Sequence, residues 1–162
     1  MPPHPPSPAV AHQLADQRWF EDFRLGERFN LPSRTMTDAL FAAFQMASGD
    51  RHRLHYDAEF CRERGMPAML AHGFQVLIQT AAGAGMFPHM VEGSLKGLIE
   101  QSSRFLRPVY AGDTLYGSLT ITELKAQHST GVLVMRSEVV NQRGELVMDG
   151  MQSYLLRRRT RA

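Results

Sequence analysis

HGFQVLIQTAAGAGM, residues 72–86, has to find a place away from water. Phe74, Leu77, Ile78, Ala81 and Ala82 recur at helical spacing and form one apolar stripe, which Gly85 extends without bulk. The remaining positions include Val76, Thr80, Gly83 and Ala84, and no Asp, Glu, Lys or Arg occurs in the segment. A helix that is apolar nearly all round has no face to offer to solvent and must be buried. The small residues from Ala81 to Gly85 allow another layer to approach closely.

What covers this helix is legible on its C-terminal side. SLKGLIEQSSRFLRPV, TLYGSLTITEL, GVLVMRSEVV and ELVMDGMQSYLL are four strand-length runs, separated by YAGD, KAQHST and NQRG, whose glycine, Asn and small polar residues are turn formers. In the second run Leu115, Gly117, Leu119 and Ile121 share one face, and Tyr116, Ser118, Thr120 and Thr122 the other. Links this short favour antiparallel pairing. The expected fold is therefore α+β of the hotdog type, a curved antiparallel sheet wrapped around a buried central helix. An ordinary sandwich with its helix on one face would leave more polar residues along 72–86.

On the N-terminal side, ERFNLPSRTM predicts a first strand, placed at an edge or bulge by Pro32. TDALFAAFQMASG predicts a helix with Thr37 or Asp38 as N-cap and Gly49 as its stop. One domain is expected over residues 19–157, preceded by a disordered proline-rich extension, 1–18, and followed by a basic tail, 158–162. The length of 162 residues and 43% hydrophobic content suit a single core. A formal net charge of +2 is weak support for a nucleic-acid partner, and the basic run LLRRRTRA reads as a solvated terminus. The N-terminus lacks the pattern of a secretory leader, and no run of about 18 apolar residues predicts a membrane span. The single cysteine, Cys61, cannot form an internal disulfide, so a reducing compartment, the cytoplasm, is the natural fit.

SGDRHRLHYD, residues 48–57, concentrates two aspartates, two histidines and two arginines in one turn. A Ser-Gly-Asp triplet after a helix is by itself a C-cap and turn. In its setting, however, SGDRHRLHYDAEFCRERG followed by AHGF resembles the hydratase signature of the MaoC-like, (R)-specific enoyl-CoA hydratase family, roughly S-G-D-x-N-P-x-H-x-D and then a-H-G. Asp50, His55 and Asp57 fall on its acidic, histidine and second acidic positions, and His72-Gly73 on its His-Gly pair. SSRFLRPVYAGDTL resembles the family's strand, proline and glycine-aspartate turn, so the likeness runs from about Phe20 to Leu156. One departure stands out: where the family has Asn-Pro, this chain has His52-Arg53.

The resemblance implies an acyl-CoA hydratase or dehydratase that adds water reversibly to a 2-enoyl thioester, with no redox or metal cofactor. Such a reaction needs a base for water, an acid for Cα and donors for the charge on the thioester oxygen. Asp50 and His55 can supply the first two if the loop folds back on itself. Gly73, at a helix N-terminus, can supply the third through its backbone N–H. His72 reads as a structural residue at the helix entry. Met66, Met69 and Met86 flank the expected acyl path. Three other readings remain open: a hotdog thioesterase, a non-catalytic acyl-thioester binder, and a metal site formed by His52 and His55 with Asp50 or Asp57. An acyl-CoA or acyl carrier protein thioester is the expected partner. An exposed sheet edge predicts at least a homodimer, in which EQSSRFLRP lines the acyl pocket and Arg104 and Arg107 stand at its rim.

Overall fold

A computed structural model describes residues 13–159. Helix α1, Asp38–Ser48, starts where Thr37 Oγ1 accepts the Leu40 N–H and stops at Gly49, whose φ of 73° is the left-handed conformation that a side chain would penalise. The expected first strand is two short pieces, β1 (Arg28–Asn30) and β2 (Arg34–Thr35), parted at Pro32 and both paired antiparallel to the strand Thr114–Ala126. The four long runs form β3 (Leu95–Phe105), β4 (Thr114–Ala126), β5 (Thr130–Asn141) and β6 (Leu146–Arg157). All pairings in the six-stranded sheet are antiparallel, in the order β1-β4-β5-β6-β3, with β2 beside β1 on β4. Leu115, Gly117, Leu119 and Ile121 face inward as their alternation requires.

The inner face holds two apolar clusters. One gathers Phe20, Phe23, Phe29 and Phe87 against Leu119, Leu133 and Leu156. The other packs Phe41 of α1 and Val76 against Leu115, Val139 and Met148. Shorter helices α2 (Ala58–Glu63), α3 (Gly73–Leu77) and α4 (Phe87–Val91) connect these layers.

The continuous central helix expected over 72–86 is corrected by the structure. It is α3 followed by single 3-10 turns at Ile78–Thr80 and Ala82–Ala84. The cause lies on the sheet. The Gln152 amide donates to the Thr80 hydroxyl at 2.7 Å and to its carbonyl at 3.2 Å, while Tyr154 donates its hydroxyl proton to Gln152 Oε1 at 2.7 Å. A carbonyl engaged from outside is withdrawn from the helical ladder, and the Ala84 N–H turns instead to Ala81 O at 3.0 Å. The buried face changes accordingly: Gln75 (2% exposed), Val76 and Thr80 point inward, whereas Phe74 (63%) and Ile78 (52%) are exposed. The segment still lies hard against the sheet, since a Cβ on Gly117 would stand 2.6 Å from the Gln79 carbonyl.

Both ends of the described chain are tied to the body. Gln17 bonds the His89 carbonyl and the Gly93 N–H, and Arg18 pairs with Glu27. Arg158 and Arg159, expected in a solvated tail, pair with Glu21 at 2.6 Å and Asp22 at 2.8 Å. The rest of both terminal segments, 1–12 and 160–162, lies outside the described residues. No helix among the described residues is long and apolar enough to cross a membrane.

Replacing Gln152 with leucine removes one bridge and leaves the Thr80 and Tyr154 groups without their partner in a buried place. Such orphaned groups cost about 1–3 kcal/mol. Urea unfolding of Gln152→Leu should show a loss of that size with an unchanged slope.

Candidate active site

The loop after α1 is built by its own polar side chains. Asp50 Oδ1 accepts the His52 N–H at 2.8 Å, and the Ser48 hydroxyl accepts the Asp50 N–H at 3.2 Å. His52 Nδ1 accepts the Leu54 N–H at 3.3 Å, the bond an asparagine carbonyl makes to the chain two residues on. Arg53 pairs with Asp57 at 2.7 Å and lies over the Phe60 ring at 4.2 Å. A cross-braced arginine thus stiffens the loop where a proline ring would otherwise do so. Asp57 also caps α2, accepting the Phe60 N–H at 2.9 Å, so its role is structural. Cys61 is buried within α2 and directs its thiol at the Leu54 carbonyl.

Two further chain segments meet this loop. Residues 69–71 pair with 109–111 through the Leu70–Tyr110 bridge, which delivers His72 and Gly73 to the loop's open side. There Asp50, His55 and His72 converge, with one nitrogen of each imidazole and a carboxylate oxygen all within 4.8 Å of one another. The Asp50 side chain is 32% exposed and that of His72 22%, so the cluster opens to solvent on one side.

Hydrogen-bond partners assign the protons. His55 Nδ1 lies 2.6 Å from the Leu70 carbonyl, which can only accept, so Nδ1 carries the proton and Nε2 of neutral His55 keeps a free lone pair. His72 is the reverse. Its Nδ1 accepts the Phe74 N–H at 3.0 Å, so its proton sits on Nε2, which donates to Asp50 Oδ2 at 2.9 Å. The expected meeting of Asp50 and His55 is therefore a shared space, and the direct bond of Asp50 is to His72. Neutral His72 has no lone pair to offer at the cluster, which disfavours a metal held by the two imidazoles and Asp50. His72 is thus more than the helix-entry residue expected: it caps α3 and orients the carboxylate. The His-Gly pair was the only sequence signal for it. The His52 N–H first, and then the neighbouring His72 and His55 imidazoles, hold the Asp50 carboxyl below the ordinary carboxylate value.

Beside the cluster a groove of about 350 Å³ is lined by Leu70, Gly73, Val76, Phe105, Arg107 and Val109. A Cβ on Gly73 would stand 3.1 Å from the Phe105 ring, so this position has room for little more than backbone. Of the two arginines expected at the rim, Arg107 lines the groove. Arg104 faces the other side of β3 and pairs with Asp149 at 2.9 Å.

The fold has known counterparts. The family model described as a MaoC like domain matches residues 22–142. The chain is 30% identical to the mesaconyl-CoA hydratase of Cereibacter sphaeroides over 90% of this chain and 43% of that protein. It is 31% identical to protein MaoC of Klebsiella aerogenes over 69% of this chain and 33% of the other. It therefore spans less than half the length of these curated relatives. Among solved structures, an Archaeoglobus monoamine oxidase regulatory protein superposes with a TM-score of 0.76 at 28% identity, covering 92% of this chain and all of the other (100%). The R-hydratase PhaJ1 of Pseudomonas aeruginosa has a TM-score of 0.73 at 24% identity, covering 86% of each chain, and shows the shared fold. A Mycobacterium tuberculosis protein described as a double hotdog fold covers 88% of this chain with 44% of its own, at 28% identity and a TM-score of 0.76. With a hotdog sheet, a family model matched over most of its length and the loop and His-Gly pair in place, the chain belongs to the MaoC-like domain family.

Proposed function

We propose that this protein is a hydro-lyase that reversibly adds water across the double bond of a 2-enoyl thioester. The observation that carries this reading is the fixed tautomer of His55, which leaves a basic Nε2 in the same small space as the Asp50 carboxylate. An imidazole is the stronger base of the two, since Asp50 is held below the ordinary carboxylate value. In the forward direction water gives one proton to His55 Nε2 as its oxygen bonds to Cβ. The π electrons move to Cα and the thioester oxygen, and His55 returns the proton to Cα. One molecule of water is consumed and the base is restored. Asp50 accepts a hydrogen bond from the attacking water and balances the imidazolium, while His72 keeps the carboxylate aimed. Gly73 contributes its backbone N–H to the developing oxyanion from the start of α3. Arg107, on the groove, is placed for the phosphates of a CoA or carrier-protein arm.

The active form in this reading is at least a homodimer. Among the described residues strand β3 pairs on one side only, with β6, and Leu98, Ile99, Phe105 and Leu106 along its edge are exposed. A second copy would cover that edge and close the groove.

His55→Ala and Asp50→Asn should each lower turnover of trans-2-enoyl-CoA, followed by ultraviolet absorbance, by about 10²- to 10⁴-fold while circular dichroism stays unchanged. Near wild-type rates in either would remove the assignment, and release of free CoA thiol in step with the absorbance loss would favour a thioesterase. Because one base both takes and returns the proton, hydration in deuterium oxide should place OH and deuterium on the same face, as read from product couplings. Asp50 is needed ionised and its carboxyl is held low. The carboxyl carbon of Asp50, followed by NMR, should therefore keep the shift of the ionised form as pH falls to the ordinary carboxylate value and change only below it. Gly73→Val should block the thioester against Phe105 and raise KM and lower kcat together, with Gly73→Ala milder; a fully active valine variant would move the oxyanion donor elsewhere.

A further inference from the structure

We propose that Asp113 is a positioning residue for His55, acting through the main chain of Leu70 to hold the imidazole in its reactive tautomer. The inference rests on the role given to His55 above. That tautomer depends on one carbonyl, Leu70 O, whose direction is set by how residues 69–71 are held. They belong to no long strand. Leu70 forms an isolated bridge with Tyr110, flanked by bonds from the Ala71 N–H to Val109 O at 2.8 Å and from the Ala111 N–H to Met69 O at 2.9 Å. The Leu70 N–H donates to Leu54 O at 2.9 Å, which returns to the turn that bears His55. The reference against which His55 is oriented is thus the stretch 109–111.

Asp113 fixes that stretch. Asp113 is 7% exposed, and its Oδ2 accepts the Tyr110 N–H at 2.9 Å while its own N–H closes the turn on Tyr110 O at 3.0 Å. These bonds alone would make a tight turn around Gly112. The other oxygen does something a turn does not need. Oδ1 accepts the Gln142 amide at 2.7 Å and Arg143 at 3.4 Å, both from the β5–β6 hairpin, and Gln142 in turn accepts the Thr114 N–H at 3.0 Å. Burial alone would raise the Asp113 carboxyl, but the Tyr110 N–H, Gln142 and Arg143 outweigh it and keep the group ionised. A buried carboxylate with donors on both oxygens is a rigid joint. It couples the far hairpin of the sheet to Tyr110, Tyr110 to Leu70, and Leu70 to the proton on His55 Nδ1.

The test uses the full chain with Asp113→Ala and the milder Gln142→Ala, the latter at an exposed position that removes one donor and leaves the turn intact. Imidazole nitrogen NMR should show wild-type His55 protonated at Nδ1 and a mixture of tautomers in both variants. Turnover of an enoyl-CoA should fall by about tenfold or more in Asp113→Ala and by less in Gln142→Ala, with KM within about twofold, as expected for a misplaced reacting group. If Asp113→Ala fails to fold, Gln142→Ala decides. Variants that keep the Nδ1 proton and wild-type kcat while losing only thermal stability would overturn the proposal, as would a wild-type His55 protonated at Nε2. A tautomer shift in a protein that hydrates no enoyl thioester would uphold the positioning role and overturn the hydratase reading instead.

Discussion

The attachment of Thr80 to the Gln152 amide governs how the helical segment sits on the sheet. It takes the Thr80 carbonyl out of the helical ladder, so that the Ala84 N–H turns to Ala81 O, and the segment lies against β4 where Gly117 offers the space. Phe74 and Ile78 are exposed, and the first turn of α3 stands beside Phe105 at the end of β3. The location of the groove follows from that.

The site itself shows how main-chain partners allot roles among side chains of similar chemistry. Three histidines lie within or beside one loop. His52 spends its Nδ1 lone pair on its own turn, His72 spends its own on α3 and lends its proton to Asp50, and only His55 presents a free lone pair to the cluster. The carboxylates divide in the same way. Asp57 is consumed by a helix cap and Arg53, while Asp50 keeps its face toward the imidazoles. The density of titratable groups in SGDRHRLHYD thus reflects two tasks in one stretch, with His52, Arg53 and Asp57 building the loop that positions Asp50 and His55.

Much of the architecture was legible because its causes are local. The cap at Thr37, the stop at Gly49, the alternation in β4 and the turns at YAGD and NQRG each depend on residues a few positions apart, and each sits where local chemistry places it. The signature residues were legible for a related reason: their order and spacing carry a family pattern even though their contacts do not. The break in the segment 72–86 had no such local cause. Its residues satisfy helical periodicity well, and the group that interrupts them lies 72 positions away.

By itself, the sequence determined the four long strands, the antiparallel pairing of β4 with β5 and of β5 with β6, and the loop on which the candidate groups reside, since these rest on backbone propensity, turn chemistry and the need to bury apolar faces; that β3 pairs with β6 and not with β4 came from the fold. Only the tertiary structure decided which face of α3 is buried, that Asp50 bonds to His72 while sharing a space with His55, and that Arg104 and Arg107 face different grooves. Those outcomes turn on hydrogen bonds between segments remote in the chain. Their strength depends on distances of a few tenths of an ångström, which no local pattern encodes.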